Sequence, residues 1–242
     1  MPYNTGQFNA PLHSGIAIAS LAVDKLVGIH KFGYNGAVNS SAAETIWDGG
    51  GVYDFYPDDP VDLDISSSSG ATDDGVQIKI EGLDQDYERY SETVTLDSSG
   101  TATTQNPDFK RVFRAYVVEG QAADGTITIN ESGDTGNVAA KILPEYQQTQ
   151  MAVFTTADRE WSYITAMSGG YDKNNSVEYR IMVREEGSVF RCKGVVSAFA
   201  GGFDRHFEMP LEIRPQSDIR IDCVAGATGA ANAAFDIFSV KP

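Results

Sequence analysis

Cysteine is nearly missing: Cys192 and Cys223 are the only two in 242 residues. They have no CxxC spacing, and His13, His30 and His206 are scattered, so nothing points to zinc. Both cysteines sit in apolar, strand-like runs. They are expected to be buried free thiols, with a disulfide between neighbouring strands as the competing possibility. Long apolar runs are missing too, and no stretch reaches the roughly 18 residues of a membrane span. The opening residues, MPYNTGQFNAPLHSG, show neither a basic n-region nor an apolar h-region, which predicts folding in a cytoplasm.

Cations are scarce, with 18 Lys and Arg against 34 Asp and Glu and a net charge of -16. The imbalance is local. Acidic residues outnumber basic ones 20 to 6 in residues 40–142, against 13 to 10 in residues 143–242 and 1 to 2 in residues 1–39. So acidic a middle repels phosphate backbones and anionic lipids, and neither nucleic acid nor a membrane is expected as a partner.

Catalytic signatures are absent as well. There is no GxSxG, HExxH or GxGxxG, and Gly49-Gly50-Gly51 lacks the Lys and Ser/Thr of a phosphate loop. No enzyme activity and no cofactor are expected. A polysaccharide depolymerase would need paired carboxylates in a cleft, and no motif marks such a pair. Two weaker chemical readings remain. Asp58, Asp59, Asp62, Asp64, Asp73 and Asp74 could gather a hard cation, although their spacing is not that of an EF-hand, and a solvated acidic face is the simpler reading. Trp47, Tyr53, Phe55 and Tyr56, with Tyr87 and Tyr90, could stack on sugar rings or serve as core and interface anchors.

What the sequence does contain is short apolar runs between turn clusters. Val76, Ile78 and Ile80 alternate with Gln77 and Lys79, and Thr93–Leu96, Arg111–Val118 and Thr126–Ile129 follow. Beyond Leu143-Pro144 come Met151–Phe154, Trp161–Met167, Val177–Arg184, Val189–Val196, Ile219–Val224 and Phe235–Val240. Ser168-Gly169-Gly170, Asp172–Asn175, Gly201-Gly202 and Gly226–Asn232 are expected to be the turns between them. The expected fold is all-β, with two small antiparallel sandwich or jelly-roll-like domains, 39–142 and 143–242, preceded by an apolar N-terminal arm or anchor, 1–38. Ile16, Ile18, Leu21, Val23, Leu26, Val27 and Ile29 in that arm, with Trp47 and Tyr53, are the expected interface residues. A first strand on the chain's own core is the other reading of the arm.

Several stretches resemble virion structural proteins of tailed bacteriophages, particularly marine ones. Glu44–Tyr53 is similar to their "IWxGGGxY" entry, and Pro210–Ile219 to a "P-x-x-I-x-x-x-S/T-D-I" stretch. Val76–Asp84, Ser91–Leu96 and Phe113–Val117 continue the likeness, which spans roughly residues 40 to 240. It implies a head decoration or tail-associated protein, made in the host cytoplasm and resident in the virion. It also implies other virion proteins as partners, the major capsid protein foremost, and self-association as a homotrimer. A tail or fibre protein binding host cell-surface glycan is the alternative.

Overall fold

A computed structural model describes residues 26–106 and 108–240. Fourteen strands account for most of these residues, every pairing is antiparallel, and the described residues contain no α-helix, only a 3-10 turn at Gly70–Asp73. The chain is all-β, as its turn-bounded apolar runs predict.

The acidic middle of the chain forms two small sheets. The first orders β6 (Thr101–Thr103), β3 (Leu63–Ser67), β8 (Ile127–Glu131) and β9 (Asp134–Ile142). The second orders β5 (Arg89–Thr95), β4 (Gln77–Leu83) and β7 (Arg111–Val117). Their alternating residues face one another. Leu63, Ile65, Ile127 and Ile129 pack with Ile78, Ile80, Val94 and Val112 in one buried cluster, so a period-2 pattern on each sheet yields a single sandwich core.

The larger sheet has seven strands and draws on both ends of the described chain. Its spine is β11 (Trp161–Glu185), 25 residues long. β12 (Arg191–Ile213) runs the length of one side. On the other side β14 (Gly229–Val240) pairs with the first half of β11 and β13 (Ser217–Ala225) with the second, in series. Outside these lie β1 (Leu26–Val38) on β14, and β10 (Val153–Thr155) and β2 (Glu44–Thr45) on β13. β1 and β14 register from Leu26 with Val240 to Val38 with Gly229. β1 also runs close to the segments beside it. A Cβ on Gly33 would stand 2.2 Å from the Ile46 carbonyl oxygen and 2.4 Å from the Ala152 nitrogen, so only glycine fits there.

The turn-like segments of the C-terminal half are mostly not hairpins. Ser168-Gly169-Gly170 lies inside β11 and Gly201-Gly202 inside β12. Asp172–Asn175 is a bulge in β11, where the register on β12 jumps from Tyr171–Gly201 to Ser176–Phe199. Gly226–Thr228, between β13 and β14, lies at the same level, where the Tyr171 hydroxyl donates to the Ala227 carbonyl and Asp172 accepts from the Ala230 N–H at 2.8 Å. Turn chemistry here marks one crease across three strands. Gly169 has a packing reason: a Cβ would meet the Phe203 ring at 2.8 Å and the Asn232 carbonyl oxygen at 3.0 Å.

Ile164, Met167, Tyr179, Ile181, Ile219, Ile221, Phe235 and Ile237 form the core of the large sheet, and Leu83, Tyr87 and Phe113 reach into it from the small sandwich.

Candidate assembly surface

The seven-stranded sheet leaves one long side uncovered. Among the described residues β12 pairs only with β11, and of its 23 residues Ile213 alone is buried. Val196, Ala198, Phe203, Phe207 and Leu211 turn toward the sheet core and are partly covered. Val195, Phe199 and Met209 point away from it, 45%, 69% and 82% exposed. A long edge strand carrying apolar side chains presents unpaired N–H and C=O groups that a second strand can complete. The edge is not uniform. Between His206 and Leu211 the register on β11 slips, and Pro210 sits within the slipped stretch, a device that blunts pairing. Arg191–Phe199 is the straighter part, broken only by a slip opposite Ile181–Met182. Its charges, Arg191 and Lys193, are both positive on a chain of net charge -16.

Behind this edge the two cores are locked together by a buried charge cluster. Asp218 on β13 is 1% exposed. Its Oδ1 accepts from Arg111 Nε at 2.7 Å and from the Thr155 hydroxyl at 2.8 Å, and its Oδ2 from Arg184 Nη2 at 2.5 Å. Arg111 comes from β7 of the small sandwich and also donates to the Pro57 carbonyl at 3.0 Å, while Arg184 comes from β11. Arg184 Nε and Arg111 Nη2 also donate to Oδ2, at 3.0 and 3.3 Å, so both carboxylate oxygens accept from more than one donor, the condition under which a buried ion pair is tolerated. The Arg184 guanidinium lies 4.2 Å from the Tyr56 ring centre, and burial, with Asp218 nearby, pushes the Tyr56 hydroxyl far above its ordinary range. A tyrosine so held stays a neutral phenol.

The residues singled out from sequence fall as follows. Leu26, Val27 and Ile29 belong to β1, inside the chain's own sheet, and Ile16, Ile18, Leu21 and Val23 lie outside the described residues. Trp47 and Tyr53 are buried in the sandwich core, stacked edge-to-face at 5.1 Å. The Tyr53 hydroxyl sits 3.1 Å from the carbonyls of both Val112 and Ala139. Phe55 is buried beside them, so these three rings pack in the protein's own core. Among the described residues no three His, Cys, Asp or Glu side chains converge as a metal site. The acidic stretch is used to tie loops: Asp73 accepts from the N–H groups of Asp124 and Gly125 at 2.7 and 3.1 Å, and Asp64 from the Thr103 hydroxyl at 2.8 Å. The two cysteines are free. Cys223 is buried, its thiol pushed up to about 12 chiefly by burial, whereas Cys192 is exposed, because it lies on the uncovered strand and not in a core.

Sequence reasoning missed β12 as an edge and missed the Arg111–Asp218–Arg184 cluster. Ser217-Asp218-Ile219 stands out in the sequence only as the end of the Pro210–Ile219 resemblance, and a charge within an apolar run is the one signal that could have marked its role.

No family model matches the chain, and no curated protein matches it. Among solved structures, the VP2 subviral particle of infectious bursal disease virus aligns over 90% of this chain and 73% of that chain, at 11% identity and a TM-score of 0.25. The PBSX exported protein XepA aligns over 86% of each chain, at 9% identity and a TM-score of 0.20. Superposition this loose assigns no fold detail and no function.

Proposed function

We propose that the chain is a non-enzymatic structural subunit of a virus particle, and in particular a decoration protein on the exterior of a tailed-phage head. The observation that carries this is β12, an edge strand of 23 residues with Val195, Phe199 and Met209 exposed. A monomer gains nothing from such an edge, whereas a neighbouring subunit's strand completes it with main-chain hydrogen bonds. The likeness of Glu44–Tyr53 and Pro210–Ile219 to tailed-phage virion proteins supports the same reading. On this reading the major capsid protein is the principal partner, copies associate as a homotrimer, and residues ahead of β1 supply the attachment arm. The chain is made in the host cytoplasm and ends in the virion.

Because Leu26–Val38 is a sheet strand, the truncation that tests the arm removes residues 1–25 and stops there. The shortened protein should melt at the temperature of the full chain and fail to join particles, read as copies per purified particle. Normal incorporation of both this variant and a Val195→Lys/Phe199→Lys double variant would rule the proposal out. The tail or fibre alternative has lost the aromatic support it had in Trp47 and Tyr53. Any signal for it must come from a glycan array.

A further inference from the structure

Among the described residues one buried cation forms no ion pair. Lys31 on β1 is 8% exposed, and its ammonium donates to the Phe113 carbonyl and lies 5.8 Å from the centre of the Phe113 ring. Among the described residues it makes no ion pair and no other hydrogen bond. A buried ammonium with unused donors is costly unless an anion meets it.

The space beside it suits such an anion. A cavity of about 390 Å³ opens against Lys31, within the size range of small-ligand sites. Phe113 and Phe154, with ring centres 5.2 Å apart, form an apolar wall, and Thr149 supplies a hydroxyl. The charged groups lining it are Arg89 from β5, Arg114 from β7, Glu81 from β4 and His30 from β1. All four already have partners. Arg89 pairs with Glu160 at 2.9 Å, Glu81 is shared by Lys79 and Arg114 at 3.7 and 3.5 Å, and His30 meets Asp236 at 2.6 Å. Lys31 is left over, in a cavity where cations outnumber carboxylates.

We propose that this cavity binds a small carboxylate carried on a flat or apolar body, with Lys31 donating to the carboxylate and the Phe113–Phe154 wall covering the body. The site stands independently of the virion assignment. Arg89 and Arg114 add long-range attraction without giving up their own partners. Burial, with Arg114 nearby, pulls the Lys31 amine down to about 7, so the cationic form that a carboxylate needs is lost as pH rises through neutrality.

The test is calorimetric titration of the full chain with benzoate and with glucuronate, using inorganic phosphate as the control anion. Benzoate should bind, and its affinity should fall by roughly 20-fold between pH 6.5 and pH 8.5 as the ammonium form is lost. Benzoate binding more tightly than glucuronate would place a flat apolar body against the wall, whereas glucuronate alone binding, or neither, overturns the proposal. His30→Gln should retain the pH dependence, which assigns it to Lys31, while Lys31→Met should abolish binding. Unchanged affinity in Lys31→Met, or phosphate binding as tightly as either carboxylate, overturns the proposal. Should Lys31→Met not fold, the Lys31 side-chain NMR signal of the unaltered protein reads the same point, and a signal unmoved by both carboxylates overturns it.

Discussion

β13 and β12 flank the same strand, β11, over the same residues, yet one is sealed and the other bare. Seven of the nine residues of β13 are buried, against one of twenty-three in β12. Their local sequences do not account for this, since Val195, Val196, Ala198 and Phe199 are as strand-forming as Ile219, Ile221 and Val224. What differs is the next neighbour. β10 and β2 close the far side of β13, the small sandwich is anchored beneath it through Arg111, and among the described residues nothing takes the same place beside β12. Burial in a sheet is decided by the layer over it and the strand beside it, and an open edge is where a partner's contribution would be read.

The largest effect that sharpens this contrast is expected from Asp218→Ala on the sealed side. Removing the carboxylate leaves Arg111 and Arg184 without their shared acceptor, which should cost about 3–5 kcal/mol and lower the melting temperature by roughly 2–4 °C for each of these. A shift no larger than that of a surface substitution would show that the cluster does not join the two cores. Ile221→Ala, also on β13 and fully buried, should cost about 2–5 kcal/mol by denaturant unfolding, from lost contacts and a residual cavity.

A smaller effect comes from Asp48, beside the bridge between Trp47 and Met151. One of its oxygens accepts from the Gln150 N–H at 2.8 Å and the other is buried without a partner. Burial pushes its carboxyl up to about 8. Folded protein therefore holds a proton on Asp48 that the unfolded chain gives up from about pH 4, so stability falls as pH rises from about 4 to 8. Asp48→Asn should remove that fall and be the more stable variant at pH 8, by about 1–2 kcal/mol. Identical pH profiles for the two proteins would refute the assignment.

Smallest of all is Phe199→Ala on β12, expected within about 0.5 kcal/mol of the unaltered protein. If it destabilised the isolated chain as Ile221→Ala does, β12 would not be a free edge and the comparison would fail.

Much of the strand content was legible in the sequence. Val76–Ile80 falls in β4, Arg111–Val118 on β7, Thr126–Ile129 on β8 and Phe235–Val240 at the end of β14, because each alternates over a core-facing side. β9 was not legible, since Asp134–Asn137 is polar and is held by its hairpin partner β8. The merger of Trp161–Met167 and Val177–Arg184 into one strand was hidden by Asp172–Asn175, which looks like a turn and is a bulge. The candidate sites were hardly legible at all. Asp218 meets Arg111 across 107 residues of sequence, and Lys31 meets the Phe113 carbonyl across 82. No local pattern encodes such a meeting.

The pairing of β1 with β14 also sets an order of events. His30 on β1 meets Asp236 on β14 across 206 residues, and a ribosome adding about 5–20 residues per second needs roughly 10–40 s to make the chain between them. During synthesis the small sandwich can close around its own hairpins, while β1 waits for β14. The large sheet is thus the late and slow part of folding, dominated by contacts far apart in sequence, and β1 gains its partner only once β14 has been made.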